Sequence, residues 1–144
     1  MKQLLIILAF LTASFSIHAE EVSSVSPTVL KSFEKTFSSA SEVYWVSNSE
    51  IAIADFKFNN QYMTAYYSCT GDLLGIKKNL LSSQLPVLLG ASLKEQYSNY
   101  WISDLMEYGS QGETTYFVTL EDANTKITLK SSHNTWSLFH KADK

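Results

Sequence analysis

Hydrophobic residues recur along this chain with three different periods, and each period predicts a different element. From Leu4 to Leu11 the apolar run is unbroken. From Val29 it turns helical: Val29, Leu30, Phe33 and Phe37 fall at i, i+1, i+4 and i+8, with Lys31, Glu34 and Lys35 on the other side. Ser26-Pro27 supplies an N-cap and a first-turn proline, so a helix is expected from Pro27 to Phe37, stopping near Ser38-Ser39. Beyond it the period drops to two. Val43 and Trp45 alternate with Tyr44 and Val46, and Ser47-Asn48-Ser49 marks a turn. Ile51–Phe58 and Gln61–Ser68 read as strands around the tight turn Asn59-Asn60, and Leu73–Lys78 as a fourth strand after Thr70-Gly71-Asp72.

The pattern then restarts. Leu85-Pro86 opens a second helix carrying Val87, Leu88, Leu89, Leu93 and Tyr97, which places Pro86 59 residues after Pro27. Trp101–Tyr108, Glu113–Leu120, Lys126–Lys130 and Trp136–His140 follow as strands. Their separators are Gly109–Gly112, Asp122–Thr125 and Ser132–Asn134. Connections this short join antiparallel neighbours, not parallel ones. The expected fold is α+β: two tandem helix-plus-four-strand repeats, 27–80 and 81–144, forming one antiparallel sheet of about eight strands with both helices on one face.

Alternation assigns the two faces. The helix-covered face should hold Trp45, Ala54, Phe56, Met63, Ala65, Tyr67, Tyr116, Val118, Leu120, Ile127 and Leu129, meeting Leu30, Phe33, Phe37, Leu88 and Leu93 of the helices. The opposite face receives Tyr44, Ile51, Ile53, Asp55, Tyr62, Thr64, Tyr66, Thr115, Phe117 and Thr119, with Ile102, Asp104, Met106 and Tyr108 expected to join it. Tyr44, Tyr62, Tyr66 and Phe117 are expected to be substantially exposed there. Aromatic and β-branched residues stabilise any sheet by cross-strand pairing. They also serve as anchors where proteins meet. A contiguous apolar patch on a soluble domain marks a contact site.

Composition narrows the function. The chain has 144 residues, 45% of them apolar, and a formal net charge of −3. All 11 basic residues are Lys, so the guanidinium fork preferred for phosphate and guanine is absent, which argues against a nucleic-acid partner. Lys2, the apolar run and Ala19 have the layout of a secretory signal peptide, residues 1–19, with cleavage expected between Ala19 and Glu20. The run is too short for a membrane span of ~20 residues. Residues 20–26 read as a flexible leader and 27–144 as a single domain. Cleavage would leave a net charge of about −4. Cys69 has no second cysteine to pair with, so the apolar core alone must hold the domain.

The helix with Phe33 and Phe37, then Val43-Tyr44-Trp45, Ile53-Ala54-Asp55-Phe56, Met63-Thr64-Ala65-Tyr66-Tyr67 closing at Gly71, and Leu85-Pro86 form an ordered set. It resembles the β-lactamase-inhibitor-like, PepSY-like family of small exported bacterial proteins, from Ser26 to Lys141. The resemblance implies a tandem repeat, a periplasmic location and binding of another protein through the exposed sheet face. It implies no catalytic residues.

Other chemistry is thin. Cys69 has no neighbouring base or cation in sequence to lower its pKa. His133 and His140 lack metal-ligand spacing. Asp55, Asp104, Glu107 and Asp122 match no hydrolase signature, and no phosphate loop or nucleophile motif occurs. The reading is a non-enzymatic, periplasmic binding or inhibitor-like module with no cofactor and no metal. Its partner would be another exported protein or a peptide, held by Tyr44, Ile51, Ile53, Asp55, Tyr62, Tyr66, Thr115, Phe117 and Thr119. The alternative is a small ligand or peptide in a cleft between sheet and helices.

Overall fold

The structure is a computed structural model that describes residues 24–143. The expected signal peptide, and the leader up to Ser23, lie outside the described residues. Helix α1 spans Pro27–Thr36. It is followed by β1 (Ser41–Ser47), β2 (Ile51–Phe58), β3 (Gln61–Ser68) and β4 (Leu73–Asn79). Helix α2 (Val87–Gln96) then leads into β5 (Trp101–Ser110), β6 (Glu113–Glu121), β7 (Thr125–Ser132) and β8 (Thr135–Asp143). The eight strands form one antiparallel sheet in sequence order, with β4 beside β5 at the junction of the two repeats. No helix among the described residues is long and apolar enough to cross a membrane.

Local chemistry explains the hairpins. Asn59 and Asn60 both take positive φ (49° and 63°), the backbone a two-residue turn between twisted strands requires. The expected loop Gly109–Gly112 is shorter than its sequence suggested: only Gln111 and Gly112 turn, again with positive φ, and Gly109 and Ser110 remain in β5. Asn48 closes the β1–β2 turn and Asp122 the β6–β7 turn. Asn48 Oδ1 accepts from the N–H of Glu50 and Ile51, both at 2.9 Å. Asp122 Oδ1 accepts from the N–H of Asn124 at 2.8 Å and of Thr125 at 2.7 Å.

Ser26 caps α1 by accepting from Val29 N–H at 3.3 Å, with Pro27 in the first turn. Pro86 is different: it is the N-cap of α2, extended at ψ 136°, and offers no side-chain cap. The first helical residues are therefore Pro27 and Val87, so the two helices are offset by 60 residues, not the 59 inferred from the prolines. This shift corrects the helical phase as well. Leu30 is 38% exposed and Leu88 60% exposed, so neither is a core residue. The buried positions are Val29, Phe33 and Phe37 in the first repeat and Leu85, Leu89 and Leu93 in the second, spaced by four. The sheet-side core assignment holds: Ala54, Phe56, Ala65, Tyr67, Val118, Leu120, Ile127 and Leu129 are all buried.

The two halves fill their cores in opposite ways. In the first, helix rings pack edge-on against sheet rings with small sheet residues between them. Phe33 meets Phe56 at 4.9 Å, Trp45 at 5.2 Å and Phe37 at 5.3 Å between ring centroids, while Ala52, Ala54 and Ala65 lie buried in the same cluster. In the second, Leu93 joins Leu105, Val118, Leu120, Ile127 and Leu129, an aliphatic cluster in which the sheet supplies the volume. Trp136 of β8 ties α2 down by donating Nε1–H to Leu89 O at 3.0 Å. At the start of α1 the equivalent closeness comes from Gly71 (φ 90°). A Cβ there would lie 3.0 Å from Thr28 Cγ2, so both conformation and space require glycine.

Two predictions follow from this core. Leu89→Ala should cost about 2–5 kcal/mol in urea unfolding, whereas Leu88→Ala should stay within about 0.5 kcal/mol of wild type; similar losses at both positions would contradict the phase of α2. The Tyr67 hydroxyl is buried and has no hydrogen-bond partner among the described residues. Tyr67→Phe should therefore raise stability by about 1 kcal/mol. Burial also pushes the Tyr67 hydroxyl above the usual tyrosine value of 10.0. Stability should therefore be unaffected by this group below about pH 10, where the unfolded chain begins to ionise, and should fall as pH rises from there through the folded value. Tyr67→Phe should flatten that alkaline decline.

Candidate functional site

Among the described residues no helix packs on the second face of the sheet. Strand registers place its side chains in rows that cross the strands. One row runs Tyr44, Asp55, Thr64, Lys77, Tyr108 and Thr115, from β1 through β6. A second passes Asn79, Met106, Phe117, Lys130 and Ser137. Ile53 pairs with Tyr66 and Tyr66 with Gly75. Ile51, Ile53, Asp55, Tyr62, Tyr66, Thr115, Phe117 and Thr119 thus share one face with Tyr44.

Exposure across this face is uneven. Tyr44 (66%) and Tyr62 (61%) stand in solvent, and Asp55 is exposed. Tyr66 and Phe117, expected to be substantially exposed, are half-buried. Tyr66 meets Tyr108 edge-on at 6.2 Å, and Tyr108 lies over Gly75, where any Cβ would collide with its ring. Phe117 is flanked by Phe139 at 5.4 Å and by Lys130 Nζ at 5.9 Å from its ring centroid. Thr119, expected as a contact residue, is only 7% exposed, as is Thr64. Their hydroxyls bond within the sheet: Thr64 Oγ1 donates to Asp55 Oδ1 at 2.6 Å, and Thr119 pairs with Thr128 at 3.2 Å. Thr119 supports the face and does not form its surface.

Ile102 was expected on this face and lies on the other. Ser103 is an extra residue in β5, so Ile102 pairs with Leu120 on the helix side while Asp104 pairs with Thr119 on the uncovered side. Asp104, Met106 and Tyr108 take the expected side. Two contributors were not anticipated. Phe139 could have been found by counting alternation from Trp136. Glu42 could not: it sits in a bulge of β1 at φ 54°, a conformation that sequence does not announce for a glutamate.

That bulge builds a charged polar cluster on this face. Glu42 Oε2 accepts from the Tyr62 hydroxyl at 2.7 Å, and Lys57 Nζ lies 3.3 Å from Glu42 Oε1 and 5.5 Å from the Tyr62 ring centroid. The Tyr62 hydrogen bond, assisted by Lys57, holds the Glu42 carboxyl below its ordinary value, and the same bond raises the Tyr62 hydroxyl. Tyr66 is raised chiefly by burial, then by Asp55 and Tyr108. Beside this cluster a hollow of about 340 Å³ is lined by Tyr44, Asp55, Tyr62, Thr64 and Lys77.

Between helices and sheet the two core clusters fill the layer. Open grooves of about 540 and 510 Å³ remain at its margin, one along α1 and β1 with Leu30 and Val43, one along α2 and β5 with Val87 and Ile102. Cys69 is exposed, and among the described residues no three His, Cys, Asp or Glu side chains converge as metal ligands would.

No family model matches the sequence, and no curated protein matches it significantly. Solved structures from Bacteroides share its fold. A BLIP-like protein of Bacteroides fragilis superposes with a TM-score of 0.70 at 19% identity, covering 83% of this chain and 86% of its own. A DUF2874 family protein of Bacteroides ovatus reaches 0.73 at 14% identity, over 83% and 88%. A protein of Bacteroides eggerthii described provisionally as periplasmic reaches 0.73 at 9% identity, over 83% and 89%. These neighbours agree with the β-lactamase-inhibitor-like resemblance, and at such identities they speak for the fold.

The Tyr62–Glu42 bond is testable by titration. Glu42→Gln removes the negative charge that opposes phenolate formation. Tyr62 should then ionise at lower pH than in wild type, read from tyrosinate absorbance or from the tyrosine ring carbons by NMR. An unchanged titration would mean that the bond does not form in solution.

Proposed function

We propose that this chain is an exported, non-catalytic, inhibitor-like module that docks another protein on the uncovered face of its sheet. One observation carries the reading: a face that spans eight strands and presents Tyr44, Tyr62 and Asp55 to solvent has no helix over it among the described residues. Tyrosine is suited to this role, because its ring contributes area at low entropic cost and its hydroxyl tolerates both water and a partner. Tyr66, Tyr108 and Phe117 are already fixed by neighbours, so docking on them costs little further ordering. The BLIP-like neighbour supports an inhibitor-like role, and the neighbour described as periplasmic supports a periplasmic location after cleavage near Ala19. Thr119 is dropped from the contact set, and Tyr108 and Phe139 are added.

Tyr44→Ala combined with Tyr62→Ala is the direct test. Both side chains are mostly in solvent, so thermal unfolding should shift by no more than a few degrees. Capture of a partner from periplasmic extract by the immobilised double variant should fall at least tenfold relative to wild type. Undiminished capture by the folded variant would overturn the reading.

A further inference from the structure

Within the cross-strand row Tyr44, Asp55, Thr64, Lys77, Tyr108, two opposite charges are left unmatched. Asp55 and Lys77 lie on β2 and β4, one strand apart on either side of Thr64. Two strand spacings separate them by about 10 Å. Neither enters an ion pair with another described residue, although Lys57, Lys78 and Lys126 each hold a glutamate. Asp55 has one oxygen engaged by the buried Thr64 hydroxyl at 2.6 Å, which fixes the carboxylate in place.

The second repeat acts as an internal control. Register places Thr119 where the first repeat has Asp55, Thr128 where it has Thr64, and His140 where it has Lys77. There the Thr119 and Thr128 hydroxyls hydrogen-bond each other, and Thr119 is buried. The fold therefore does not need a carboxylate at the position of Asp55, although the second row carries one a strand earlier, at Asp104, and an imidazole in place of the ammonium. An exposed carboxylate and an ammonium held apart, with Tyr44 and Tyr108 at either side, are surplus to folding and complementary to something outside the chain.

We infer that the partner is a protein whose docking segment presents a cationic side chain to Asp55 and an anionic side chain to Lys77, about 10 Å apart. This rests on the reading of the sheet face as a docking surface and specifies what that surface selects. A contact of like charges in either position would be disfavoured, so the pair sets orientation as well as choice of partner.

Capped oligoproline peptides serve as rulers, because residues three apart project from the same side of that helix at about 9 Å. Four are compared on the full chain by NMR titration: one with Arg and Glu three positions apart, one with Arg at both positions, one with Glu at both, and one with Gln at both. The Arg/Glu peptide should bind at least fivefold more tightly than the other three, shift the amides around Asp55, Thr64 and Lys77, and weaken with added salt. Asp55→Asn, which preserves shape, should abolish the preference. Asp55→Lys should abolish it too, and Asp55→Lys with Lys77→Asp should restore it, since the peptide can bind reversed. Equal binding of all four peptides at this face would overturn the charge pairing while leaving the face a docking surface. Failure of the Arg/Glu peptide to bind, or loss without rescue in the double variant, would also overturn it. The tyrosine variants decide the face itself independently.

Discussion

Everything in this fold depends on a single apolar layer. With one cysteine there is no intramolecular disulfide to restrain the chain, so two ten-residue helices must be held by burying one side of each against alternate positions of the sheet. Isolated helices of that length are marginal in water. Their survival requires that Val29, Phe33 and Phe37, and likewise Leu85, Leu89 and Leu93, find the sheet. That requirement puts both helices on the same side. The far side is left to stabilise itself by cross-strand pairs: rings on rings, threonine on threonine, and carboxylate on hydroxyl.

The same layer explains why the repeat is faint in sequence yet clear in structure. Phe33 corresponds to Leu93, while Ala54 and Ala65 correspond to Val118 and Leu129. At these positions a larger helix residue faces smaller sheet residues, and the reverse holds in the second repeat. Close packing constrains the sum across the helix–sheet interface and leaves its division free. Residue identity then drifts between the halves while the alternation persists.

What could be read from the sequence follows from which signals are local. Strand alternation and the Asn59-Asn60 turn are local, so the β2–β3 hairpin and its two faces were legible to the residue. The start of α2 was not, because Leu85-Pro86 looks like Ser26-Pro27 but lacks a capping side chain, and Pro86 is extended. One residue of phase then moved Leu88 into solvent and Leu89 into the core. The side of Ile102 depended on Ser103 bulging, and the reach of Glu42 on a positive φ; neither leaves a mark in residue type. Burial of Thr119 and Thr64 depends on the neighbouring strands, which alternation along a single strand does not contain. The face was therefore legible and its relief was not.

That relief bears on which part of an open sheet can meet a partner. An eight-stranded sheet that does not close has two edges, and edges invite strand addition. Here both are irregular. β1 carries a bulge between Ser41 and Tyr44, and β8 carries an extra residue, Phe139, opposite the Thr128–Leu129 step. Bulges break the regular ladder of donors and acceptors that an incoming strand would need. The edge groups are thus poor templates, and the same bulges do something else for the face: one delivers Glu42 to Tyr62, and the other strand brings Phe139 onto Phe117. The irregularity that discourages pairing at the margins furnishes the surface with two of its fixed groups. A sheet guarded in this way meets other chains most readily through side chains, and Tyr44 and Tyr62 of the first repeat and Phe139 of the second stand well into solvent for that purpose.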